Sequence, residues 1–179
     1  MNYCIADTHF GHENVIRYDR RPFGSIDDMN REIVKRWNDT VSSEDNVYVL
    51  GDFAWKNSVG LDIISNLKGR KFLVEGNHDR LSDELKMKFD WVRDIAVVND
   101  NGVKVVLCHY PMAHWIHQYR GAVHLYGHVH VTKDYDVFKR YGEMCHNMEI
   151  PFECYNVGCM MEYMDYTPRT LEHIRLNGK

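Results

Sequence analysis

The sequence predicts an α/β (α+β) protein organised as one domain over residues 1–179. Three observations predict it. Short apolar runs alternate with stretches of helical spacing through the first half of the chain. Strand-like runs dominate after that. Several of those runs stop at a polar residue, most of them just after a glycine.

The elements follow in order. "YCIAD" opens the chain as a short strand. In "SIDDMNREIVKRWNDTV", residues Ile26, Met29, Ile33, Trp37 and Val41 recur at helical spacing, with Ser25 or Asp27 as N-cap. "NVYVLGD" is β-branched and ends at glycine, which reads as a strand. "VGLDIISNL" reads as a short helix, "RKFLVEGN" as a strand, and "SDELKMKF" as a helix capped by Ser82. "WVRDIAVVNDNGVKVVLCH" reads as two strands joined at "DNG", a strong hairpin signal. "AVHLYGH" and "ECYNVG" are later strands. "TPRTLEHIRL" closes with a helix whose first turn holds Pro168.

Composition narrows the class. The 44% hydrophobic content is that of a globular chain, not a disordered one. A net charge of −4 gives no support to broad binding of nucleic acid or anionic membrane. The five cysteines, Cys4, Cys108, Cys145, Cys154 and Cys159, form no CxxC pair and fit reduced thiols in the cytoplasm. No signal peptide or bilayer-spanning run is visible. Eleven histidines are the unusual feature, because histidine is the common nitrogen ligand for metals and the usual acid or base near neutral pH.

Five strand-like runs deliver metal-competent residues: "YCIA" gives Asp7 and His9, "NVYVLG" Asp52, "KFLVEG" Asn77 and His78, "VKVVLC" His109, and "AVHLYG" His128 and His130. Ligand sites of open α/β sheets lie beyond the carboxyl ends of strands. One such position is an ordinary turn; five in a chain of this length are hard to read as independent turns. Asp7, His9, Asp52, Asn77, His109, His128 and His130 offer carboxylate, imidazole and amide groups without thiolate, which suits Mn²⁺, Fe²⁺ or Zn²⁺. Seven ligands exceed what one ion takes while leaving room for substrate. Two ions sharing a carboxylate use them, and ions about 3.5–4 Å apart clamp an in-line displacement at phosphorus.

In this order, "DTH", "GDFA", "GNHD", "CH" and "GHVH" resemble the five signature blocks of the calcineurin-like metallophosphoesterase superfamily. The flanking text, "ADTHFGHENVIRYDRRPF" and "NVGCMMEYMDYTPRTLEHI", resembles a branch of small bacterial and phage phosphoesterases. The resemblance implies two mixed β-sheets packed as a sandwich flanked by helices, with metals at one edge. It implies two divalent ions, Mn²⁺ foremost, with Fe, Zn or Ni as alternatives. Asp7, His9 and His130 would bind the first, Asn77, His109 and His128 the second, and Asp52 would bridge them. The implied reaction is attack on phosphorus by a metal-bridging hydroxide. His78 is no ligand in the family and serves the leaving oxygen. Asp79 either orients His78 or caps the turn. The protein phosphatase branch continues its second block with Val-Asp-Arg-Gly and uses GNHE; "GDFAWKNS" and "GNHD" depart from both, so its arginine clamp is missing.

His12 or Arg17 is expected at the substrate phosphate, because the loop after the first ligand pair lies near the metals. Arg20 reads as solvated. Tyr110 lines the pocket or packs. His114 and His117 read as surface or packing residues and His124 as structural. Cys145, His146, Cys154 and Cys159 match no common zinc spacing. "MMEYMDY" reads as core or as an oligomer contact, and nothing else indicates an oligomer. The expected function is a phosphodiesterase acting on a small phosphoester or nucleotide-like diester. A phosphomonoesterase, a nuclease and a non-enzymatic scaffold are the alternatives. The complete ligand set argues against the scaffold, and the missing basic surplus against the nuclease.

Overall fold

The computed structural model describes residues 1–178. Its eight strands form two four-stranded sheets. The first contains β1 (Asn2–Ile5), β2 (Asn46–Leu50), β3 (Arg70–Val74) and β4 (Trp91–Arg93), in that order. The second contains β5 (Ile95–Asp100), β6 (Val103–Cys108), β7 (Val123–Tyr126) and β8 (Cys154–Asn156), also in order. The two sheets pack as a sandwich flanked by helices. The first sheet is parallel throughout. The second is the mixed one, since β5 runs antiparallel to β6 while β6, β7 and β8 are parallel.

Strand periodicity explains the layers. Successive side chains of a strand face opposite sides. Tyr3, Ile5, Val47, Val49 and Leu73 enter a core shared with Met29, Ile33, Trp37 and Ile63. The intervening Cys4, Tyr48, Leu50, Phe72 and Val74 enter a second core with Val105, Leu107 and Leu125 of the other sheet. The first sheet is thus covered on both faces, and its strands read as continuous apolar runs rather than alternating ones. Burying a side chain such as Leu73 contributes about 1.5–3 kcal/mol, and Leu73→Ala is expected to cost about 2–5 kcal/mol.

The helices are α1 (Glu13–Tyr18), α2 (Ile26–Thr40), α3 (Asn57–Asn66), α4 (Asp83–Lys86), α5 (Lys133–Asn147) and α6 (Leu171–Asn177). In α2 the Ser25 side chain accepts from the Asp28 N–H, and Met29, Ile33 and Trp37 are buried, as their spacing predicts. Ser82 caps α4 in the same way. Two expectations need correction. The cap of α6 is Thr170, so Pro168 lies before the helix rather than in its first turn. Residues 91–100 are two strands, not one: Trp91 pairs with Phe72 in the first sheet, whereas Ile95 pairs with Cys108 in the second. The hairpin at "DNG" joins β5 to β6, with Asn101 and Gly102 both at positive φ. Helices α1 and α5 carry no sequence expectation. Val15 is the buried residue of α1 and Cys145 that of α5, so neither presents a buried apolar stripe to read.

Among the described residues no helix is long and apolar enough to cross a membrane. The five cysteines are free thiols.

Candidate metal centre

The parallel strands point their carboxyl ends to one edge of the sandwich. Asp7 follows β1, Asp52 follows β2, Asn77 follows β3, His109 follows β6 and His128 follows β7. Backbone bonds tie these loops together. The Asp7 N–H donates to the Gly51 carbonyl at 3.0 Å, the His9 N–H to Asp52 at 2.9 Å, and the Gly127 N–H to His109 at 2.9 Å. Beyond β1, Ala6 pairs with Gly158, which links the edges of the two sheets. Glycine is needed for close approach at Gly51 and Gly76. Gly51 has φ +87°, and a Cβ there would overlap the His109 ring. Gly76 has no positive φ; a side chain there would overlap Asp52.

Five of the seven candidate ligands occupy the left-handed region that non-glycine residues rarely visit: Asp7 (φ 56°), His9 (50°), Asp52 (53°), His128 (70°) and His130 (42°). Such conformations persist where surrounding structure enforces them, and they cluster at functional sites.

The geometry brings the expected ligands together. Asp7, His9 and His130 each place a ligand atom within 4.8 Å of the others, and so do Asp7, Asp52 and His109. His9 Nε2 lies 3.3 Å from His130 Nε2, and His130 Nε2 lies 3.6 Å from Asp7 Oδ1. His109 Nε2 lies 3.1 Å from Asn77 Oδ1, and the His128 ring centre lies 5.1 Å from that of His109. Asp52 Oδ2 lies 3.6 Å from both His9 Nε2 and His109 Nε2, one member of each expected ligand set. His109 Nδ1 lies 2.8 Å from the Leu50 carbonyl oxygen, which can only accept; Nδ1 therefore carries the proton and Nε2 is free to ligate. These residues fit divalent ions. Buried carboxylates face imidazole nitrogens, and on His109 and His130 the opposite nitrogen is already engaged, which is how metal-binding histidines are held.

Electrostatics follow from burial. Burial drives His9 down to about 3, so it is neutral and ligand-competent at neutral pH. Burial also works against charge on His130, but hydrogen bonds to Asp19 and Asp7 outweigh it and lift His130 to about 10. Burial raises Asp52, and the Asp7 charge adds to the rise. His78 is exposed, and its backbone N–H donates to Asp52 Oδ1 at 2.9 Å. Asp79 is buried. Its carboxylate accepts from the N–H groups of Asp52 (2.8 Å), Phe53 (2.9 Å) and Gly76 (2.9 Å), so its oxygens hold the two ligand loops and cap the turn.

Three residues escape sequence reasoning. Asp19 receives the His130 Nδ1 hydrogen bond at 2.7 Å. Arg21, 4% exposed, donates to Asp19 and to the carbonyls of Asp7 (2.9 Å) and Thr8 (3.1 Å). Trp55 lies flat against His12, with ring centres 4.1 Å apart. Nothing local marks them; their significance comes from what the fold sets beside them. A cleft of about 590 Å³ joins His9, Asp52, Asn77, His78, His128 and His130 to His12, Tyr18 and Trp55. Arg17 is exposed with its guanidinium over the Tyr18 ring, and it is not among the residues lining this cleft. Tyr110 packs edge-on against His109 and His128. His124 is buried, accepting from the Met112 N–H and bonding the Val106 carbonyl, a structural histidine. His114 is exposed, and His117 lies beside Lys104. Among the described residues no metal-competent group includes a cysteine.

The sequence model of the calcineurin-like phosphoesterase superfamily domain matches residues 2–170. An uncharacterized protein of Methanocaldococcus jannaschii, MJ1445, is 29% identical over 178 residues, covering 96% of this chain and 88% of that protein. The Gene 66 protein of Mycobacterium phage D29 is 30% identical over 157 residues, covering 72% and 77% of the two chains. The crystal structure of AQ665, a protein of unknown function from Aquifex aeolicus, is 30% identical and superposes with a TM-score of 0.74 over 98% of both chains.

Proposed function

Because the chain belongs to the calcineurin-like phosphoesterase superfamily, a family of metal-using phosphoester hydrolases, we propose that it is a dinuclear metal-dependent phosphodiesterase. The observation that carries the reading is Asp52 Oδ2, equidistant at 3.6 Å from His9 and His109. A carboxylate in that position can serve two ions at once. Asp7, His9 and His130 would hold one ion, and Asn77, His109 and His128 the other. When bound, two such ions acidify water and neutralise charge on the phosphoryl group.

The chain's own residues do the rest. His78 stands at the mouth of the cleft with its backbone anchored to Asp52, so its imidazole can give a proton to the departing oxygen. Asp19 and Leu50 fix the ring orientations of His130 and His109. Mn²⁺ suits this oxygen and nitrogen donor set. The test is hydrolysis of bis-p-nitrophenyl phosphate against p-nitrophenyl phosphate by Mn²⁺-loaded protein. The diester is expected to be the better substrate; a clear preference for the monoester would make the enzyme a phosphomonoesterase of the same chemistry.

A further inference from the structure

Beside the metal centre the cleft has a second wall with a different chemistry. His12 and Trp55 stack at 4.1 Å with only 12° between their planes. Tyr18 adds a ring 6.5 Å from His12. Trp55 is 45% exposed although His12 lies against its indole, so the remaining surface of a large aromatic ring opens to solvent at the cleft. A tryptophan so placed does not build the core.

The wall is rigid and registered to the ligands. His12 and Trp55 each stand three residues after a candidate ligand, His9 and Asp52. The His12 N–H donates to the His9 carbonyl at 3.0 Å, the Trp55 N–H to the Phe10 carbonyl at 2.9 Å, and Phe10 pairs with Ala54 as a bridge. The ring centre of His12 is 5.5 Å from that of His9, and that of Trp55 is 5.6 Å from that of His78. A flat group seated on Trp55 would therefore lie next to the phosphoryl site, at a separation a pentose can bridge. Among the described residues no lysine or arginine lines the cleft, so stacking rather than a cationic side chain is what the wall offers a substrate away from the phosphate. That chemistry selects one nucleobase on a small ester and gives no purchase to a polyanionic strand.

We propose that the His12–Trp55 stack is a nucleobase platform, which makes the substrate a small nucleotide-like diester. The inference rests on the phosphoesterase reading above and deepens it. His12 backs the indole and keeps its plane fixed, and Trp55 receives the base.

Two measurements test it and separate its failure from that of the parent reading. In the first, Mn²⁺-loaded wild type, Trp55→Ala and Trp55→Phe are compared on 2′,3′-cyclic AMP and on glycerophosphoglycerol, a diester with neither a ring nor a cation for the indole to hold. The ratio of kcat/KM for the two substrates is expected to fall about tenfold in Trp55→Ala, as loss of one base–aromatic stack implies, and to recover in Trp55→Phe. An unchanged ratio overturns the platform while leaving the phosphodiesterase intact. In the second, adenosine 5′-monophosphate is titrated into metal-free protein. Saturable quenching of indole fluorescence is expected, absent with ribose 5-phosphate and absent in Trp55→Phe. This readout needs no turnover, so quenching in a protein that hydrolyses neither diester would keep the platform and sink the enzymatic reading. No quenching in the wild type would overturn the platform.

Discussion

His130 Nδ1 and the carboxylate of Asp19 meet at 2.7 Å across 111 positions of sequence. Asp19 is in turn held by Arg21, whose other N–H groups fasten the Asp7 and Thr8 carbonyls. One buried guanidinium thus fixes the backbone of one candidate ligand and the hydrogen-bond partner of another. Asp19→Asn is expected to weaken Mn²⁺ binding about 10–100-fold, as loss of such supporting carboxylates does. Calorimetric titration of the metal-free protein measures it, and an unchanged affinity would remove Asp19 from the centre.

The same pair sets a pH dependence. In the metal-free protein His130 sits at about 10, above its ordinary 6.5, so folding strengthens its hold on the proton. Its contribution to stability is complete below about pH 6.5 and is lost as pH rises toward 10. His9, at about 3, and His124, at about 4, act in the opposite sense: their contributions hold above pH 6.5 and are lost as pH falls. Chelator-treated protein should therefore melt highest near neutrality and lose roughly 5 °C by pH 9.5. Asp19→Asn should flatten the alkaline limb. A limb of equal slope in the variant would assign it to other groups.

His78 and Asp52 should separate by readout. His78→Ala is expected to keep both ions, counted by elemental analysis, and to lose about 10²–10⁴-fold in kcat. Asp52→Asn is expected to lose metal as well as turnover. Equal metal contents in the two variants would contradict the division of roles.

Asp79 predicts a stability effect rather than a catalytic one. Its carboxylate satisfies three buried or half-buried N–H groups, and Asp79→Ala leaves them unpaired. A loss of about 3 kcal/mol in urea denaturation is expected. A variant as stable as wild type would show that water replaces the carboxylate at that turn.

Much of the fold, and the set of polar residues that its strand ends bring together, is legible in the amino-acid sequence. Strands such as "NVYVL" announced themselves because both faces are buried, and α2 because one face is. α5 stayed hidden because its apolar residues make no clean buried stripe: Val137, at 65%, and Met144, at 49%, face solvent, while Tyr135, Phe138 and Tyr141 are only half-buried. The break between β4 and β5 was invisible because each half is a good strand; only the identity of its partners, Phe72 or Cys108, decides which sheet it joins. The candidate ligands could be read from their positions after strands. Asp19, Arg21 and Trp55 could not, because an ion pair and a ring stack depend on the approach of distant loops and leave no spacing rule behind.

The left-handed turns at Asp7, His9, Asp52, His128 and His130 have a consequence for how the molecule breathes. Each conformation costs on the order of 1 kcal/mol or more that the local chain does not recover by itself. The two apolar cores sustain those turns from below, and bound ions would sustain them from above. Stripping the metals should therefore leave the sandwich closed while its catalytic rim opens independently of it. Hydrogen exchange would show this as protection lost first around residues 7–9, 51–53 and 127–130, with the amides of β2, β3 and β6 exchanging only when the whole chain unfolds.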